Sequence, residues 1–280
     1  MSGFLARQER FAVVGSTNDV VRAWLADGTP EVCLAVADEQ TAGRGREGRT
    51  WVAPAGGALL LSLGFRPTWL APELVWRLAA AVSLAMAEAA EATTELPHGS
   101  ISLKWPNDLV TDELAGVRKL AGVLGETEGL GGPDPRVVIG LGMNTDWPAS
   151  AFPPELAASM TSLREASDRR AIDHDALLDA FLGRLEIRTD ALRAGRFDVA
   201  DWTERQLTTG RDVELVAPDG AVTTVRALGV DGTSGALVVE DSTTAGGLRH
   251  VVVGEIRHVR VPVLAAAATR VATPETLAGV

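Results

Sequence analysis

The stretch QTAGRGREGRTW, residues 40–51, brings three glycines and three arginines together in a chain whose formal net charge is −11. Glycine adopts backbone conformations closed to other residues and lets backbone N–H groups come close to a ligand, while arginine carries paired donors that match phosphate oxygens. The stretch therefore indicates a loop that binds a phosphorylated ligand. Two other interpretations stay open at this point, a solvated surface loop and an RNA-binding segment.

The composition favours a globular protein without disulfide bonds. With 280 residues, 46% of them hydrophobic, the chain can form one large domain or a large and a small one. Its acidic balance argues against general nucleic-acid binding, which uses basic surfaces. The single cysteine, Cys33, lies in an apolar run and is expected to be buried and unreactive. The sequence has no signal peptide and no apolar stretch of the roughly 20 residues that span a bilayer, so we expect a cytoplasmic protein.

Short apolar segments and helical repeats predict an α+β fold. Helices are predicted after the N-cap residues 16–19, from Pro72 and from Asp173. Strands are predicted over residues 32–37, 57–65, 101–105, 120–126 and 136–144. After Gly210, short strands separated by glycine-rich turns predict a small β-barrel.

A second polar motif, KWPND at residues 104–108, follows one of these strands. Because the proline ends the strand, Lys104, Asn107 and Asp108 are expected near a strand terminus, where they can line a cleft. The lysine suits a phosphate or carboxylate and the aspartate suits Mg²⁺, although an ordinary Asn-Asp turn gives the same pattern. Lys119 begins the next apolar strand, where a single lysine is often only a protective edge charge. The scattered histidines predict no zinc site.

Together these segments resemble the biotin protein ligase family. The resemblance rests on Ser16-Thr17-Asn18, the 40–51 loop, Lys104-Trp105-Pro106-Asn107-Asp108, Lys119-Leu120-Ala121-Gly122 and Gly140-Leu141-Gly142-Met143-Asn144, in this order over roughly residues 12–260. The loop in combination with the Lys-Trp-Pro-Asn-Asp pentapeptide carries most of the specificity.

The resemblance implies an α+β fold, with a mixed-sheet catalytic domain similar to the class II synthetases and a small C-terminal SH3-like β-barrel. We place the catalytic domain at residues 1–207, the barrel at 208–263 and a flexible tail at 264–280. Because the Ser-Thr-Asn motif begins at residue 16, we expect a monofunctional ligase without an N-terminal DNA-binding domain and without repressor function.

The implied activity is that of a biotin–[biotin carboxyl-carrier protein] ligase. The carboxylate of biotin attacks the α-phosphorus of ATP to give biotinyl-5′-AMP and pyrophosphate, and a lysine of an acceptor protein then takes the biotinyl group. The implied cofactors are ATP and Mg²⁺. The implied partner is the biotin carboxyl carrier domain of acetyl-CoA, propionyl-CoA or pyruvate carboxylase, with no nucleic acid and no membrane. A lipoate–protein ligase and a non-catalytic sensor of biotin or its adenylate remain as alternatives.

The family match also implies the roles of individual residues. The catalytic cations are Arg44, Lys104 and Lys119. The biotin-binding residues are Ser16, Thr17, Asn18, Gln40, Gly43, Arg44, Gly45, Arg46, Lys119 and Gly122. The nucleotide-binding residues are Arg46, Arg49, Trp51, Lys104, Asn107 and Asn144. Asp108 is expected to hold Mg²⁺, directly or through water. An anionic carboxylate that approaches an anionic phosphate needs cations to lower the repulsion and to stabilise the developing charge.

The segment between the two lysines departs from the family pattern. Residues 109–118 make this hairpin longer than expected, and Leu114-Ala115-Gly116 is a second copy of the Leu-Ala-Gly sequence. Glu113 precedes the earlier copy, whereas a lysine precedes the later one, so we assign the role to Lys119.

Overall fold

The chain folds around a seven-stranded mixed sheet. The computed structural model describes residues 3–113, 116–244, 246–253 and 258–261. The strands of this sheet are β1 (Arg7–Val14), β2 (Cys33–Gln40), β3 (Ala58–Phe65), β4 (Ser102–Lys104), β5 (Asp108–Glu113), β6 (Gly116–Glu128) and β7 (Arg136–Asn144). Their spatial order is β1-β2-β3-β7-β6-β5-β4, with β1 parallel to β2 and the other pairs antiparallel. The mixed sheet predicted from the sequence is confirmed.

Helices cover both faces of this sheet. Within the described residues they are α1 (Thr17–Ala26), α2 (Trp76–Thr94), α3 (Leu163–Ala166), α4 (His174–Arg193) and α5 (Val199–Glu204). α2 and α4 pack against each other and form the main core with the sheet, in which Leu84 and Phe181 are fully buried. α1 lies on the opposite face, where Val21 and Leu25 pack with Cys33. None of the helices in the described residues has the length and apolar character needed to cross a membrane.

Two glycines on β7 shape the face that carries α1. Side chains alternate between the two faces of a strand, and Ile139 and Leu141 point into the core under α2. Gly140 and Gly142 therefore point to the α1 side, where their α-carbons approach Asn18 and Trp51. Because glycine has no side chain, the sheet keeps a hollow on this face.

A second sheet follows near the C-terminus. It contains β8 (Asp212–Val216), β9 (Val222–Val230), β10 (Leu237–Glu240), β11 (Leu248–Val251) and β12 (His258–Arg260), in the order β11-β10-β9-β8-β12 and antiparallel throughout. Trp105, in the turn between β4 and β5, packs into the core of this second sheet and donates its indole N–H to the carbonyl of Gly235 at 2.9 Å. The expected C-terminal β unit is confirmed. The boundaries at residues 207 and 263 stay predictions, and residues 264–280 lie outside the described part.

Some local predictions were wrong or incomplete. The sequence did not predict β1, β5 or β12, which carry polar residues or are short. The helix expected from Pro72 begins as a 3₁₀ turn, Pro72–Leu74, before α2. Ser16 occupies the N-cap position of α1, but its side chain accepts no capping hydrogen bond from the described first turn. Asp173 caps α4 as predicted, because its carboxylate accepts the N–H groups of Asp175 and Ala176 at 3.0 Å.

Candidate functional site

A cavity of about 120 Å³, which we call the narrow hollow, lies between the start of α1 and the 40–51 loop. Its wall includes Ser16, Thr17, Asn18, Gln40, Arg44, Gly45, Arg46, Arg49, Trp51, Asn107, Asp108, Lys119 and Gly122. Every predicted biotin-binding residue except Gly43 therefore lies on this wall. The fold brings these side chains together from segments that are far apart in the sequence.

The 40–51 loop forms a closed hairpin beside the narrow hollow. At its base, the N–H of Trp51 donates to the carbonyl of Gly43 at 3.0 Å. At its tip, the chain reverses through positive φ angles at Glu47 (57°) and Gly48 (70°). A β-carbon at Gly43 would lie 2.5 Å from the carbonyl oxygen of Trp51, so the base of the hairpin requires glycine. Gly43 thus shapes the loop.

The indole ring of Trp51 closes one side of the narrow hollow. It lies on a glycine floor, since β-carbons at Gly122 and Gly142 would come within 3.2 and 2.6 Å of the ring. The Nζ atom of Lys119 is 5.5 Å from the ring centroid, within the range of a cation–π interaction. The ring, the glycines and the lysine together form one compact wall.

Hydrogen bonds fix the polar end of the narrow hollow. Gln40 Oε1 accepts the N–H of Thr17 at 2.7 Å and its hydroxyl at 2.9 Å. The fully buried hydroxyl of Ser62 on β3 is 2.7 Å from Thr17 Oγ1 and also bonds Asn18 Oδ1. Because its oxygen faces Thr17, the Gln40 side chain directs its amide nitrogen elsewhere, where it can donate to a ligand.

Asn18 is held by groups from two strands. Its Nδ2 donates to Glu126 Oε2 on β6 at 2.8 Å, and its Oδ1 faces Ser62. On β7, a β-carbon at Gly140 would lie 2.2 Å from Oδ1, so a larger residue there would displace the amide. Ser62, Glu126 and Gly140 therefore position the predicted ligand-binding residues.

Two lysines converge on one buried carboxylate. Lys119 Nζ is 2.6 Å from Asp108 Oδ1, and Lys104 Nζ is 3.3 Å from Oδ2. Burial would raise the pKa of the Asp108 carboxyl, but the two ammonium groups outweigh this and hold its pKa below the ordinary value. Burial also lowers the pKa of Lys104, against the opposing effect of Asp108. With both lysines charged, the cluster offers one excess positive charge to an anion.

A wider cavity of about 520 Å³, the wide hollow, adjoins the narrow one. Both hollows are lined by Arg49, Thr50, Trp51, Asp108 and Lys119. The wide hollow is further lined by Lys104, Val110, Asn144, Trp147, Leu156, Met160 and Arg260. The buried Asn144 donates its Nδ2 to the carbonyl of Thr161 at 3.0 Å and so fixes one wall of this hollow.

The predicted cations do not all gather at one point. Lys119 lines both hollows and Lys104 lines the wide one, next to Asp108. Arg44 lines the narrow hollow, but its guanidinium pairs with Asp19 at 2.7 and 2.8 Å. The structure thus brings the two lysines together and holds Arg44 at the other side of the narrow hollow.

Arg46 and Asn107 lie on the wall of the narrow hollow and contact each other. Arg46 Nη1 donates to Asn107 Oδ1 at 3.4 Å, and burial lowers the pKa of its guanidinium. Asn107 Nδ2 in turn donates to the carbonyl of Val123 at 2.9 Å. The contact ties the 40–51 loop to the segment that carries Asp108.

Sequence reasoning missed several residues at this site. Ser62 is a lone serine in the apolar segment 58–65, and this polar residue in a buried strand could have been recognised as a candidate site residue. Asp19 and Glu126 carry no such signal, because charged residues at partly exposed positions are common. Trp147 and Met160 lie in a segment for which the motifs gave no assignment.

Comparisons with known proteins show which proteins this chain resembles. The model of the biotin/lipoate A/B protein ligase family matches residues 11–144. A biotin–[acetyl-CoA-carboxylase] ligase of Mycobacterium tuberculosis is 34% identical over 211 residues, which cover 75% of this chain and 74% of the relative. The bifunctional ligase/repressor BirA of Bacillus spizizenii is 33% identical over 61% of this chain and 50% of its own length. The solved structure of a biotin protein ligase from Aquifex aeolicus in complex with biotin and ATP has a TM-score of 0.74 at 26% identity, over 91% of this chain and 99% of that chain.

Proposed function

Because the chain belongs to the biotin protein ligase family, we propose that it activates biotin with ATP and transfers the biotinyl group to a lysine of a carrier domain. The observation that carries this proposal is the wall shared by the two hollows, on which Trp51, Asp108 and Lys119 face both cavities. A carboxylate in the narrow hollow and an α-phosphate in the wide hollow would meet at this wall.

Biotin is assigned to the narrow hollow with its ring system at the polar end. The ureido group has two N–H donors and one carbonyl acceptor, and Thr17, Asn18 and Gln40 supply oriented hydroxyl and amide partners there. Gly122 leaves space beside Trp51 for the acyl chain. This orientation directs the carboxylate toward Lys119.

ATP is assigned to the wide hollow. Lys104 and Arg49 supply positive charge for the phosphates, and Trp51 and Trp147 supply apolar surface for the nucleoside. Asn144 is assigned near the nucleotide, because it lines this hollow and holds its wall at Thr161. The larger volume of this hollow suits the larger substrate.

In the first step, a carboxylate oxygen of biotin attacks the α-phosphorus of ATP. The bond from the α-phosphorus to the bridging oxygen breaks, and pyrophosphate leaves with its electron pair. The ammonium groups of Lys104 and Lys119 lower the repulsion between the two anions and stabilise the charge that develops on phosphorus oxygens. Arg44 is already paired with Asp19, so its role as a third catalytic cation stays a prediction.

In the second step, the neutral amine of the acceptor lysine attacks the carbonyl carbon of the mixed anhydride. The new amide forms, AMP leaves, and the proton of the amine passes to solvent. The 40–51 loop and Trp51 cover the anhydride and keep water from hydrolysing it before the acceptor arrives.

The residues around Asp108 do not fit a Mg²⁺ ion held by the protein. Both carboxylate oxygens are paired with lysine ammonium groups. Among the described residues, no three His, Cys, Asp or Glu side chains come together in a cluster that could hold a metal. An ion that arrives with ATP would be held by phosphate oxygens and water. Of the two predicted roles of Asp108, direct contact with Mg²⁺ does not fit these ion pairs, and contact through water stays a prediction.

The acceptor is assigned to the biotin carrier domain of acetyl-CoA carboxylase, in line with the name of the Mycobacterium tuberculosis relative. The carrier domains of propionyl-CoA and pyruvate carboxylases remain predicted acceptors. The absence of nucleic-acid binding, the cytoplasmic location and the division into a catalytic domain and a small barrel also stay predictions.

The purified protein, mixed with ATP, Mg²⁺, biotin and an acceptor domain, should label one acceptor lysine. Mass spectrometry without the acceptor should find bound biotinyl-5′-AMP. An acceptor with that lysine replaced by arginine is the matched control and should stay unlabelled. Failure to form the adenylate would rule out the ligase, and stronger labelling with lipoate than with biotin would favour the lipoate alternative.

A further inference from the structure

Asp19 holds Arg44 by two parallel hydrogen bonds. Arg44 Nη1 is 2.7 Å from Asp19 Oδ2, and Nη2 is 2.8 Å from Oδ1. This two-point geometry fixes the direction of the guanidinium as well as its distance, and it belongs to the stronger class of charged hydrogen bonds. Since Asp19 lies in the first turn of α1, the pair ties the 40–51 loop to a helix that packs on the main sheet.

Two further charges complete this attachment, and we call Asp19, Arg22, Arg44 and Glu126 the loop clamp. Arg22 is 2.7 Å from Asp19 and 2.6 Å from Glu126, and Arg44 is 3.5 Å from Glu126. Each cation therefore lies between two carboxylates, and each carboxylate between two cations. The hydrogen bond from Arg44 is the main cause that lowers the pKa of Asp19, so both groups are charged near neutral pH.

The loop clamp holds the 40–51 hairpin near its base. Arg44 pairs with Thr50 across the hairpin, so fixing Arg44 fixes both arms. Beyond this pair, the tip is exposed at Glu47 and Gly48, and the side chain of Arg46 adds only one long hydrogen bond, to Asn107 at 3.4 Å. Isolated hairpins are only marginally stable in water, and segments with few buried contacts open first.

We propose that Asp19 is a positioning residue that, by clamping Arg44, holds the 40–51 loop closed over the narrow hollow and thereby limits escape of the acyl-adenylate. The part about the adenylate rests on the proposed function, whereas closure of the loop can be measured without it. The side chains of Asp19 and Arg44 keep 48% and 37% of their exposure, so salt should screen the pair.

Limited digestion with trypsin measures loop closure in the ligand-free protein. Cleavage after Arg46 and Arg49, followed by mass spectrometry, should be about fivefold faster in Asp19→Asn than in the wild type. Asp19→Glu keeps the carboxylate and should stay near the wild-type rate. Added salt should speed cleavage of the wild type and leave Asp19→Asn unchanged. Equal rates for the wild type and Asp19→Asn would overturn the proposal.

Asp212→Asn is the matched control. It removes a similar exposed ion pair, that between Arg226 and Asp212 at 3.3 Å in the C-terminal sheet. Cleavage in the 40–51 loop should not change in this variant. Faster loop cleavage in Asp212→Asn would show a general loss of stability and would count against a specific clamp.

Release of biotinyl-5′-AMP provides the second measurement. Enzyme loaded with labelled biotin and ATP is freed of excess ligand, and the appearance of label in solution is followed. Release should be about fivefold faster in Asp19→Asn, and Asp19→Asn/Arg44→Gln should release no faster than Arg44→Gln alone, because the two residues act as one unit. If the double variant instead released the adenylate faster than Arg44→Gln, by the factor that Asp19→Asn alone produces, the proposal would be overturned. A wild type that forms no adenylate would instead refute the proposed ligase activity, and the trypsin result would still decide whether the clamp closes the loop.

Discussion

The indole ring of Trp51 rests on the α-carbon of Gly142, so closely that a β-carbon at position 142 would lie 2.6 Å from Cε2 and 2.9 Å from Nε1. Real β-carbons do not come this close to a ring, so residue 142 determines how deeply the indole sits. Trp51 faces both hollows. The missing side chain on β7 therefore shapes the place where the two substrates are expected to meet.

Gly142→Ala should displace the Trp51 ring and weaken biotin binding by at least about tenfold, or about 1.4 kcal/mol. Isothermal titration with biotin measures this effect. Gly183→Ala is the matched control, because Gly183 lies on the exposed side of α4 and a β-carbon there would meet nothing within 4 Å. The control should bind biotin normally and gain up to about 1 kcal/mol of stability from better helix propensity. Unchanged binding in Gly142→Ala would contradict the role of the glycine floor.

Lys119→Gln should slow adenylate formation by about 10²–10³-fold, since the loss of one electrostatic stabiliser raises a barrier by about 2.7–4 kcal/mol. Biotin-dependent exchange of pyrophosphate into ATP measures this step. Lys119→Arg keeps the charge next to Asp108 and should recover part of the rate. If Lys119→Gln exchanged pyrophosphate at the wild-type rate, Lys119 would have no role in adenylate formation.

Lys104 and Lys119 are the only two lysines in the 280-residue chain, and both pair with Asp108. Reductive methylation or acetylation should therefore modify just these two side chains and the N-terminal amine. The Lys119 side chain is 37% exposed and that of Lys104 is 11% exposed, so Lys119 should react first. Acetylation should abolish adenylate formation, and bound biotin and ATP should protect the two lysines from acetylation. Peptide mapping beside an activity assay tests this, and acetylated Lys119 in fully active enzyme would contradict it.

The buried ion pair between Arg205 and Glu91 should matter for stability and not for catalysis. Its side chains are 4% and 5% exposed, and the carboxylate also accepts the N–H groups of Gly99 and Ile101 at 3.0 Å. Glu91→Gln leaves Arg205 buried with a weakened partner, and Arg205→Gln leaves the carboxylate without its cation. Breaking such a pair costs about 3–5 kcal/mol of unfolding free energy, which urea denaturation measures.

Arg170→Gln is the control for that experiment. Arg170 pairs with Glu95 at 2.7 Å, with side chains that are 50% and 75% exposed. Exposed pairs contribute at most about 1 kcal/mol. A loss of similar size in the exposed and the buried variants would contradict the importance of burial.

Cys33 should resist alkylation in the folded protein. The thiol is fully buried, and burial raises its pKa to about 11 from an ordinary value of 9.0. Because the pKa of Cys33 is higher in the folded state, the thiol of the unfolded state loses its proton first as the pH rises. The contribution of the protonated thiol to the free energy of unfolding is therefore complete below pH 9 and is lost toward pH 11. Iodoacetamide should label Cys33 at neutral pH only after denaturation. Rapid labelling of the native protein would contradict this burial.

The sequence predicted the parts of the fold that leave a strong local pattern. The β3 segment is apolar along its whole length and is buried on both faces, so its prediction as a strand is confirmed. β1 begins with Arg7, Gln8, Glu9 and Arg10, because an edge strand exposes much of its length and carries no apolar alternation. Its pairing with β2 comes from tertiary contacts that a local pattern does not contain.

The site was predictable where residue types are chemically unusual for their position. The glycines and arginines of the 40–51 loop and the lysines near Asp108 carry such a signal, and the structure places them around the two hollows. The partner of Arg44 was not predictable, because many carboxylates in an acidic chain can pair with a loop arginine. Only the fold determines that Asp19 and Glu126 lie within reach.

Trp105 and Lys104 are adjacent in the chain but serve different parts of the molecule. The indole of Trp105 is built into the C-terminal sheet through Gly235, whereas Lys104 faces Asp108. A gene shortened after codon 207 would leave this tryptophan exposed to water, directly next to Lys104. Compact versions of the enzyme made as protein-tagging reagents must therefore retain both sheets.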